Sequence, residues 1–185
     1  MNNYNEAARV SSVSREDFPN EKINIFDHIL ETRKLSFMAE LFGVMAHSPG
    51  ALQAVASVGE HVRFQSVLDE VLREMIICTV SQEVGNYYEW CHHIHRMPKN
   101  MQKIIGSQLA ENLPEPTGAV LRYARLVANN QKIDENLVEI IRSSLGDIGL
   151  IDLTVMVGYY QLIGTFCNTL HVPIEDGMNR TPFNK

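Results

Sequence analysis

Hydrophobic residues recur every three or four positions along most of the chain, which is the spacing of one face of an α-helix. No segment shows the strict alternation of apolar and polar residues that is typical of a half-buried strand. The pattern predicts helices over residues 23–30, 35–45, 51–58, 67–80, 87–96, 119–127, 134–145 and 150–170. We therefore expect an all-α fold, a bundle of about seven or eight helices.

Capping and helix-breaking residues mark several of these boundaries. Ser48 followed by Pro49 gives a cap and a proline in the first turn, which is a typical helix start. Pro98 ends the helix before it, because the residue preceding a proline avoids helical angles. Gly146 separates the last two predicted helices, as glycine commonly does at a helix end.

The length of 185 residues and the apolar content of 45% fit one globular domain. Residues 1–21 are polar and contain a proline near their end, so we expect a flexible N-terminal arm. Residues 22–176 are expected to form the helical domain, and residues 177–185 a polar C-terminal tail.

The charge pattern excludes two classes of partner. The formal net charge is −6, and the Lys and Arg residues are scattered, so no basic face is available for nucleic acid or for an anionic membrane surface. Residues 149–170 carry only Asp152 as a charge over a length that could span a bilayer. Polar residues spread through this segment, and no basic flank anchors it, so we expect a buried helix.

The three cysteines are Cys78, Cys91 and Cys167. An odd number at wide spacing does not suit a disulfide framework, and the first residues do not resemble a secretion signal. We therefore expect reduced thiols in a cytoplasmic protein.

The densest group of reactive side chains lies in residues 86–95. On a helix, Glu89 and His93 are four residues apart and share one face, toward which Asn86 also points. A carboxylate beside an imidazole can move a proton, although such a pair is also a common surface or capping interaction.

A second face of the same helix carries Cys91 and His95, with Tyr88 beside them. A thiol beside an imidazole can be an activated nucleophile, although a single cysteine on an amphipathic helix is more often a small core residue. Cys91, His92, His93 and His95 cannot converge on one metal ion from a single helix, so we expect no metal and no cofactor.

Residues 88–93, Tyr-Glu-Trp-Cys-His-His, resemble the Tyr-Glu-Trp-x-x-His segment of the carboxymuconolactone decarboxylase and alkyl hydroperoxidase D family. The alkyl hydroperoxidase D branch has a glutamate one helix upstream of a Cys-x-x-Cys-x-x-x-His motif. In this alignment Glu74 matches the glutamate and His93 the histidine, whereas Asn86 and Glu89 occupy the two cysteine positions. The resemblance extends over roughly residues 35–175.

This resemblance implies an all-α fold, assembly into trimers or hexamers, and a site near the subunit contacts. In the peroxidase branch the cysteine pair reduces peroxide while the glutamate and the histidine relay protons. Asn86 and Glu89 cannot perform that thiol chemistry. We therefore expect an enzyme of the decarboxylase kind, a lyase in which Glu74, Glu89 and His93 relay protons on a small carboxylated or lactone-like substrate.

Two alternatives remain open at this point. One is an antioxidant peroxidase that uses Cys91 as a single thiol, activated by His92 or His95. The other is a non-catalytic oligomeric module that keeps the scaffold for binding.

Overall fold

The computed structural model describes residues 7–184, and this part of the chain contains helices and loops but no strand. The helices are α1 (Ile23–Arg33), α2 (Glu40–Met45), α3 (Pro49–Glu60), α4 (Glu70–Glu83), α5 (Tyr87–His93), α6 (Lys99–Gln102), α7 (Gln108–Glu111), α8 (Thr117–Ala128) and α9 (Glu135–Leu170). Short 3₁₀ turns occupy Asn20–Lys22 and Ile94–Arg96, and a π-helical turn occupies His61–Gln65. The all-α prediction is confirmed, and the longer helices fall where the periodicity predicts them.

Helix α4 lies at the centre of the bundle, where it packs against α5, α8 and α9. Asp69 immediately precedes it and caps it, because its side chain accepts a hydrogen bond from the backbone N–H of Leu72. Met75, Ile76 and Val80 are among the many α4 side chains in the core. Burying each such side chain contributes about 1.5–3 kcal/mol, so the position of α4 is firmly fixed.

Gly146 divides α9 as predicted. Its φ of 69° and ψ of 178° interrupt the helical angles, a combination that is essentially restricted to glycine. The predicted helices 134–145 and 150–170 are therefore two arms of one long element, joined at a kink.

The predicted helix over residues 35–45 is wrong in its first half, because only Glu40–Met45 is helical. Lys34 adopts a left-handed conformation with φ of 52°, and the N–H of Leu35 donates to the carbonyl of Leu30, which ends α1. The apolar residues between α1 and α2 serve as a cavity wall, as described below.

Both terminal segments contact the helical body over the residues described. Phe18 is buried and its ring packs 5.6 Å from that of Phe26. At the other end, the indole N–H of Trp90 donates to the carbonyl of Thr181. Residues 1–6 of the predicted arm and residue 185 of the predicted tail lie outside the described residues.

Within residues 7–184, no helix combines the length and the apolar composition needed to cross a bilayer. Asp152, the charge in the segment singled out above, is buried in α9.

Candidate active site

Helices α4 and α5 bring together the three residues expected to relay protons. Glu74 lies in the second turn of α4, and Glu89 and His93 lie one turn apart on α5. A tight turn at Gly85, which has a positive φ of 67°, folds α5 back against α4. All three side chains are buried, with residue exposures of 4% for Glu74, 5% for Glu89 and 2% for His93.

The imidazole of His93 lies between the two carboxylates. Its Nδ1 is 2.5 Å from Oε2 of Glu74, and its Nε2 is 3.0 Å from Oε2 of Glu89. Ionised carboxylates only accept hydrogen bonds, so a doubly protonated ring satisfies both contacts. With a neutral ring, the proton between Nε2 and Oε2 belongs to Glu89 instead.

Both carboxylates of this cluster are held in the charged form. Burial raises the pKa of Glu74, but the charge and hydrogen bond of His93 outweigh it and lower the pKa below 4.5. Burial likewise opposes ionisation of Glu89, and the hydrogen bond from His93 again makes the net shift of its pKa downward. The cluster therefore has two anions around one imidazole at neutral pH.

Arg63 completes the cluster, and the sequence pattern does not single it out. It lies in the π-helical turn His61–Gln65, where its Nη2 is 3.8 Å from Oε1 of Glu74 and its Nη1 is 3.4 Å from Nε2 of His93. Burial lowers the pKa of Arg63, but electrostatic interactions with the Tyr160 phenol and with the carboxylates of Glu74 and Glu89 raise it overall. No local spacing links residue 63 to α4 or α5, so only the fold reveals this contact.

The turn that carries Arg63 is fixed by Asp152 of α9. One oxygen of Asp152 is 2.9 Å from Nε2 of His61, and the other accepts the backbone N–H of Val67 at 2.9 Å. His61 and Val67 lie on either side of Arg63 in the sequence, so Asp152 holds both ends of the segment that carries Arg63.

A cavity of about 300 Å³ opens beside the cluster. It is lined by Arg33, Leu35, Phe37, Ala39, Leu41, Phe42, Arg63, Phe64, Tyr88, Glu89, His92, His93, Arg96, Tyr159, Tyr160, Glu175 and Met178. Glu89 and His93 form part of the wall, whereas Glu74 lies behind the imidazole. This volume lies at the lower end of the range for small-molecule sites.

A second polar network lies in the same cavity wall. Glu175, from the segment after α9, accepts the hydroxyl of Tyr88 at 2.7 Å and lies 2.8 Å from Nε2 of His92. It also accepts the N–H of Glu40 at 2.9 Å. Burial opposes the ionisation of Glu175, but the hydrogen bonds from His92 and Tyr88 bring its pKa down to about 2.

Tyr88 therefore lies in a different place from the one expected. Its ring packs 4.4 Å from that of His92 and faces the cavity instead of accompanying Cys91 and His95. The helix-wheel estimate is wrong here because α5 ends at His93, so His95 belongs to the following 3₁₀ turn.

Cys91 and His95 do not line the cavity, whereas His92 does. Cys91 is buried toward the C-terminal segment, and burial raises the pKa of its thiol although Tyr87 and the backbone of Thr181 hydrogen-bond to it. His92 pairs with Glu175, and His95 lies 2.9 Å from Oγ1 of Thr181, so neither imidazole is hydrogen-bonded to the thiol.

Asn86 is a capping residue. Its Oδ1 accepts the N–H of Glu89 at 3.3 Å at the start of α5, and its side chain is fully buried. Asn86 therefore fixes the first turn of the helix that carries Glu89, and it does not line the cavity. Among the described residues, no three His, Cys, Asp or Glu side chains are grouped to hold a metal ion.

Comparisons with solved structures identify the fold. An uncharacterized peroxidase-related protein with an alkylhydroperoxidase AhpD core, from Ralstonia eutropha JMP134, matches with a TM-score of 0.74 at 20% identity over 96% of this chain and 98% of that chain. A peroxidase-related protein from Silicibacter sp. TM1040 matches with a TM-score of 0.74 at 18% identity over 87% and 88% of the two chains. The debrominase Bmp8 matches with a TM-score of 0.73 at 16% identity over 90% and 92%.

A cysteine-to-alanine variant of the same debrominase, in complex with 2,3,4-tribromopyrrole, matches with a TM-score of 0.70 at 14% identity over 90% and 91% of the two chains. No protein-family model matches the sequence, and no curated protein matches it. The helical bundle thus has the alkyl hydroperoxidase D-like fold, as the resemblance of residues 88–93 implies. At these identities the likeness establishes only the fold, so the chemistry has to be inferred from the residues of the site.

Proposed function

We propose that this protein is an enzyme that uses Glu89 and His93 to move protons on a small carboxylated or lactone-like molecule held in the cavity. The observation that carries the proposal is the buried contact of His93 with two carboxylates, one of which faces the cavity. Buried charges are costly, so a structural role alone gives little reason to gather three ionisable side chains beside an open cavity.

The three residues would have different roles. Glu74 lies behind the ring and orients it by accepting a hydrogen bond from Nδ1–H. Glu89 faces the cavity as a carboxylate and would accept a proton from an acidic C–H or O–H of the substrate. The imidazolium of His93 and the guanidinium of Arg63 would then stabilise the negative charge left on the substrate.

A decarboxylation would use the same groups in another order. The bond between the carboxylate and the neighbouring carbon breaks, its electron pair moves into an enolate, and carbon dioxide leaves. Protonated Nε2 of His93, acting through Glu89, then returns a proton to the carbon. The burial of Glu74, Glu89 and His93 strengthens both steps because their charges interact in a less polar surrounding than water.

The thiol alternative has weaker support. The names of two structural neighbours associate this fold with peroxidases, but Cys91 lies outside the cavity wall, and the pKa of its buried thiol is raised. A thiolate is the reactive form, so such a thiol is a poor nucleophile. We expect mild peroxide followed by a sulfenic acid probe to leave Cys91 unlabelled in the folded protein, and clear labelling would favour the peroxidase.

A turnover screen tests the proton relay. The native chain is offered a panel of small carboxylic acids and lactones, and the active compound is then used with His93→Ala and Glu89→Gln. We expect each variant to lose about 10²–10⁴-fold in kcat. His95→Ala is the matched control because His95 is exposed and outside the cavity.

Two results would overturn this proposal. Native-like turnover by His93→Ala and Glu89→Gln would remove the relay. Binding of panel members without any turnover would favour the non-catalytic binding module. We also propose a cytoplasmic location, because all three cysteines are unpaired and buried, as suits a reducing compartment.

A further inference from the structure

Three arginines line the cavity, and one of them differs in its surroundings. Arg63 has the carboxylate of Glu74 nearby, and Arg96 is exposed to water. Arg33 is half-buried, and no carboxylate lies within 4.0 Å of its guanidinium among residues 7–184. A partly buried charge without a directly paired carboxylate is costly, which suggests that a ligand supplies the paired anion.

The guanidinium of Arg33 is held in place by neutral groups. Its Nη2 donates to the carbonyl of Ala56 at 2.8 Å, and its Nη1 donates to Oγ1 of Thr32 at 3.1 Å. Its Cζ lies 4.9 Å from the centre of the Phe42 ring. These two hydrogen bonds use two of the five N–H groups of the guanidinium, so three donors remain for a ligand.

The electrostatics agree with this geometry. Burial lowers the pKa of Arg33 and outweighs the opposing effects of Tyr159, Glu60 and Tyr160, and the positive charge of Arg63 adds to the lowering. Two guanidinium groups that repel each other across a cavity wall are both stabilised when an anion enters between them.

The rest of the cavity indicates the body of such an anion. Phe37, Phe42 and Phe64 line it together with Tyr159 and Tyr160. Aromatic walls favour a flat, apolar molecule, and a volume of about 300 Å³ admits one ring with a small substituent.

We propose that Arg33 is an anion-binding residue that receives the carboxylate of a small aromatic or similarly flat acid, with the apolar body against the phenylalanine rings. The proposal rests on the proposed function in that it names the ligand class of the same cavity. It adds a recognition residue, contributed by α1, to the cavity wall that also carries Glu89 and His93. The planar fork of arginine matches a carboxylate with two parallel hydrogen bonds.

Calorimetric titration with benzoate and benzamide tests this assignment, because the two molecules share shape and differ in charge. We expect the native chain to bind benzoate at least about 10-fold more tightly than benzamide. Arg33→Met keeps the approximate length of the side chain and removes the charge. It should weaken benzoate binding by about 10- to 100-fold and leave the affinity for benzamide nearly unchanged. Arg33→Lys keeps the charge but not the planar guanidinium, so its affinity for benzoate should lie between those of the native chain and of Arg33→Met.

Arg142→Met is the matched control, since Arg142 is exposed and pairs with Glu139 and Asp147 on α9. Thermal melts establish that each variant is folded, and Arg33→Gln replaces Arg33→Met if the latter does not fold. Absence of benzoate binding by the native chain, equal affinity for the two probes, or native affinity in Arg33→Met would each overturn the proposal.

The binding measurement is independent of turnover. If benzoate binds through Arg33 and no compound of the panel is converted, the anion site stands and the enzyme proposal fails. If a neutral lactone is turned over and Arg33→Met leaves its kcat and KM unchanged while benzoate does not bind, the relay stands and the anion site fails.

Discussion

Oε2 of Glu74 lies 2.5 Å from Nδ1 of His93, although the two residues belong to different helices. This contact fixes the ring so that its other nitrogen points to Glu89 and the cavity. Because Glu74 itself does not line the cavity, it is a positioning residue that acts through His93.

Glu74→Gln tests this positioning role. The amide keeps the size of the side chain but removes the charge that favours the protonated ring, so we expect kcat to fall about 10- to 100-fold with little change in KM. Nitrogen NMR of the imidazole gives a readout without substrate, because the proton distribution between Nδ1 and Nε2 should change. Glu70→Gln, at the exposed start of α4, should behave like the native chain. Native kcat and an unchanged imidazole spectrum in Glu74→Gln would contradict the role.

The Glu175 network predicts a pH dependence of stability. The pKa of Glu175 is about 2 in the folded chain, against an ordinary value of 4.5. A lowered pKa stabilises the folded state fully above pH 4.5, and this contribution is lost as the pH falls from 4.5 toward 2. The difference corresponds to on the order of 3 kcal/mol. Urea unfolding of Glu175→Gln should therefore show lower stability than the native chain at pH 7 and a much smaller deficit near pH 2.

The matched control for that experiment is Glu139→Gln, whose side chain is 61% exposed beside Arg142. It should change the free energy of unfolding by less than about 0.5 kcal/mol at either pH. A constant deficit of Glu175→Gln across the pH range would show that the loss comes from packing and not from the ionised carboxylate.

The proton-relay residues could be predicted from the sequence because their contacts are local or follow a family motif. Glu89 and His93 are one helical turn apart, and Glu74 could be assigned because it aligns with the upstream glutamate of the family motif. Arg63 and Glu175 reach the cavity from the π-helical turn and from the segment after α9, and no periodic pattern connects them to α5. Contacts between distant segments depend on how the helices pack, which spacing alone does not encode.

The segment between α1 and α2 shows a similar limit. Its apolar residues suit a helix face, yet the left-handed Lys34 ends α1 and leaves Leu35, Phe37 and Ala39 to line the cavity. A non-glycine residue at positive φ is uncommon, so the sequence carries no signal for this turn. By contrast, Gly146 was predictable as a break because glycine is the usual residue at such angles.

Asp152→Asn should loosen the segment that carries Arg63. An amide has a single accepting oxygen, so if that oxygen keeps the N–H of Val67, the NH2 group faces Nε2 of His61, which can then no longer donate and loses its charged partner. We expect a loss of about 1–3 kcal/mol in the free energy of unfolding and a reduced kcat, since Arg63 is held less firmly. Asp147→Asn, whose side chain is 80% exposed, is the control and should change neither quantity appreciably. Native kcat in a destabilised Asp152→Asn would mean that the turn does not control the site.

Two glycines of α9 should respond oppositely to alanine. Gly146 has a positive φ, so Gly146→Ala forces a side chain into a strained conformation and should cost about 1–3 kcal/mol. Gly158 lies within the helix with open space around its Cβ position in the single chain, so Gly158→Ala should stabilise the isolated chain by about 0.5–1 kcal/mol. Chemical unfolding of both variants measures the difference, and stabilisation by Gly146→Ala would show that the kink is not required.

The second arm of α9 presents a stripe of exposed apolar side chains. Ile148, Ile151 and Leu162 are exposed by 66%, 60% and 47%, and Val155 between them by 39%. Their spacing places them along one side of the helix, and exposed apolar stripes of this kind commonly mark subunit contacts. We therefore propose a homo-oligomer, a trimer or a hexamer, in which this surface of α9 is covered by another copy.

Ile151→Lys tests the assembly. A charge at the centre of the apolar surface must be desolvated when two copies meet, so sedimentation should show a smaller species than for the native chain at the same concentration. Leu109→Lys is the matched control, because Leu109 is 65% exposed but lies on α7 and not on α9. A native chain that sediments as a monomer would contradict the oligomer. If Ile151→Lys keeps the native mass and Leu109→Lys dissociates instead, the subunit contact lies on the α7 side of the bundle and not on α9.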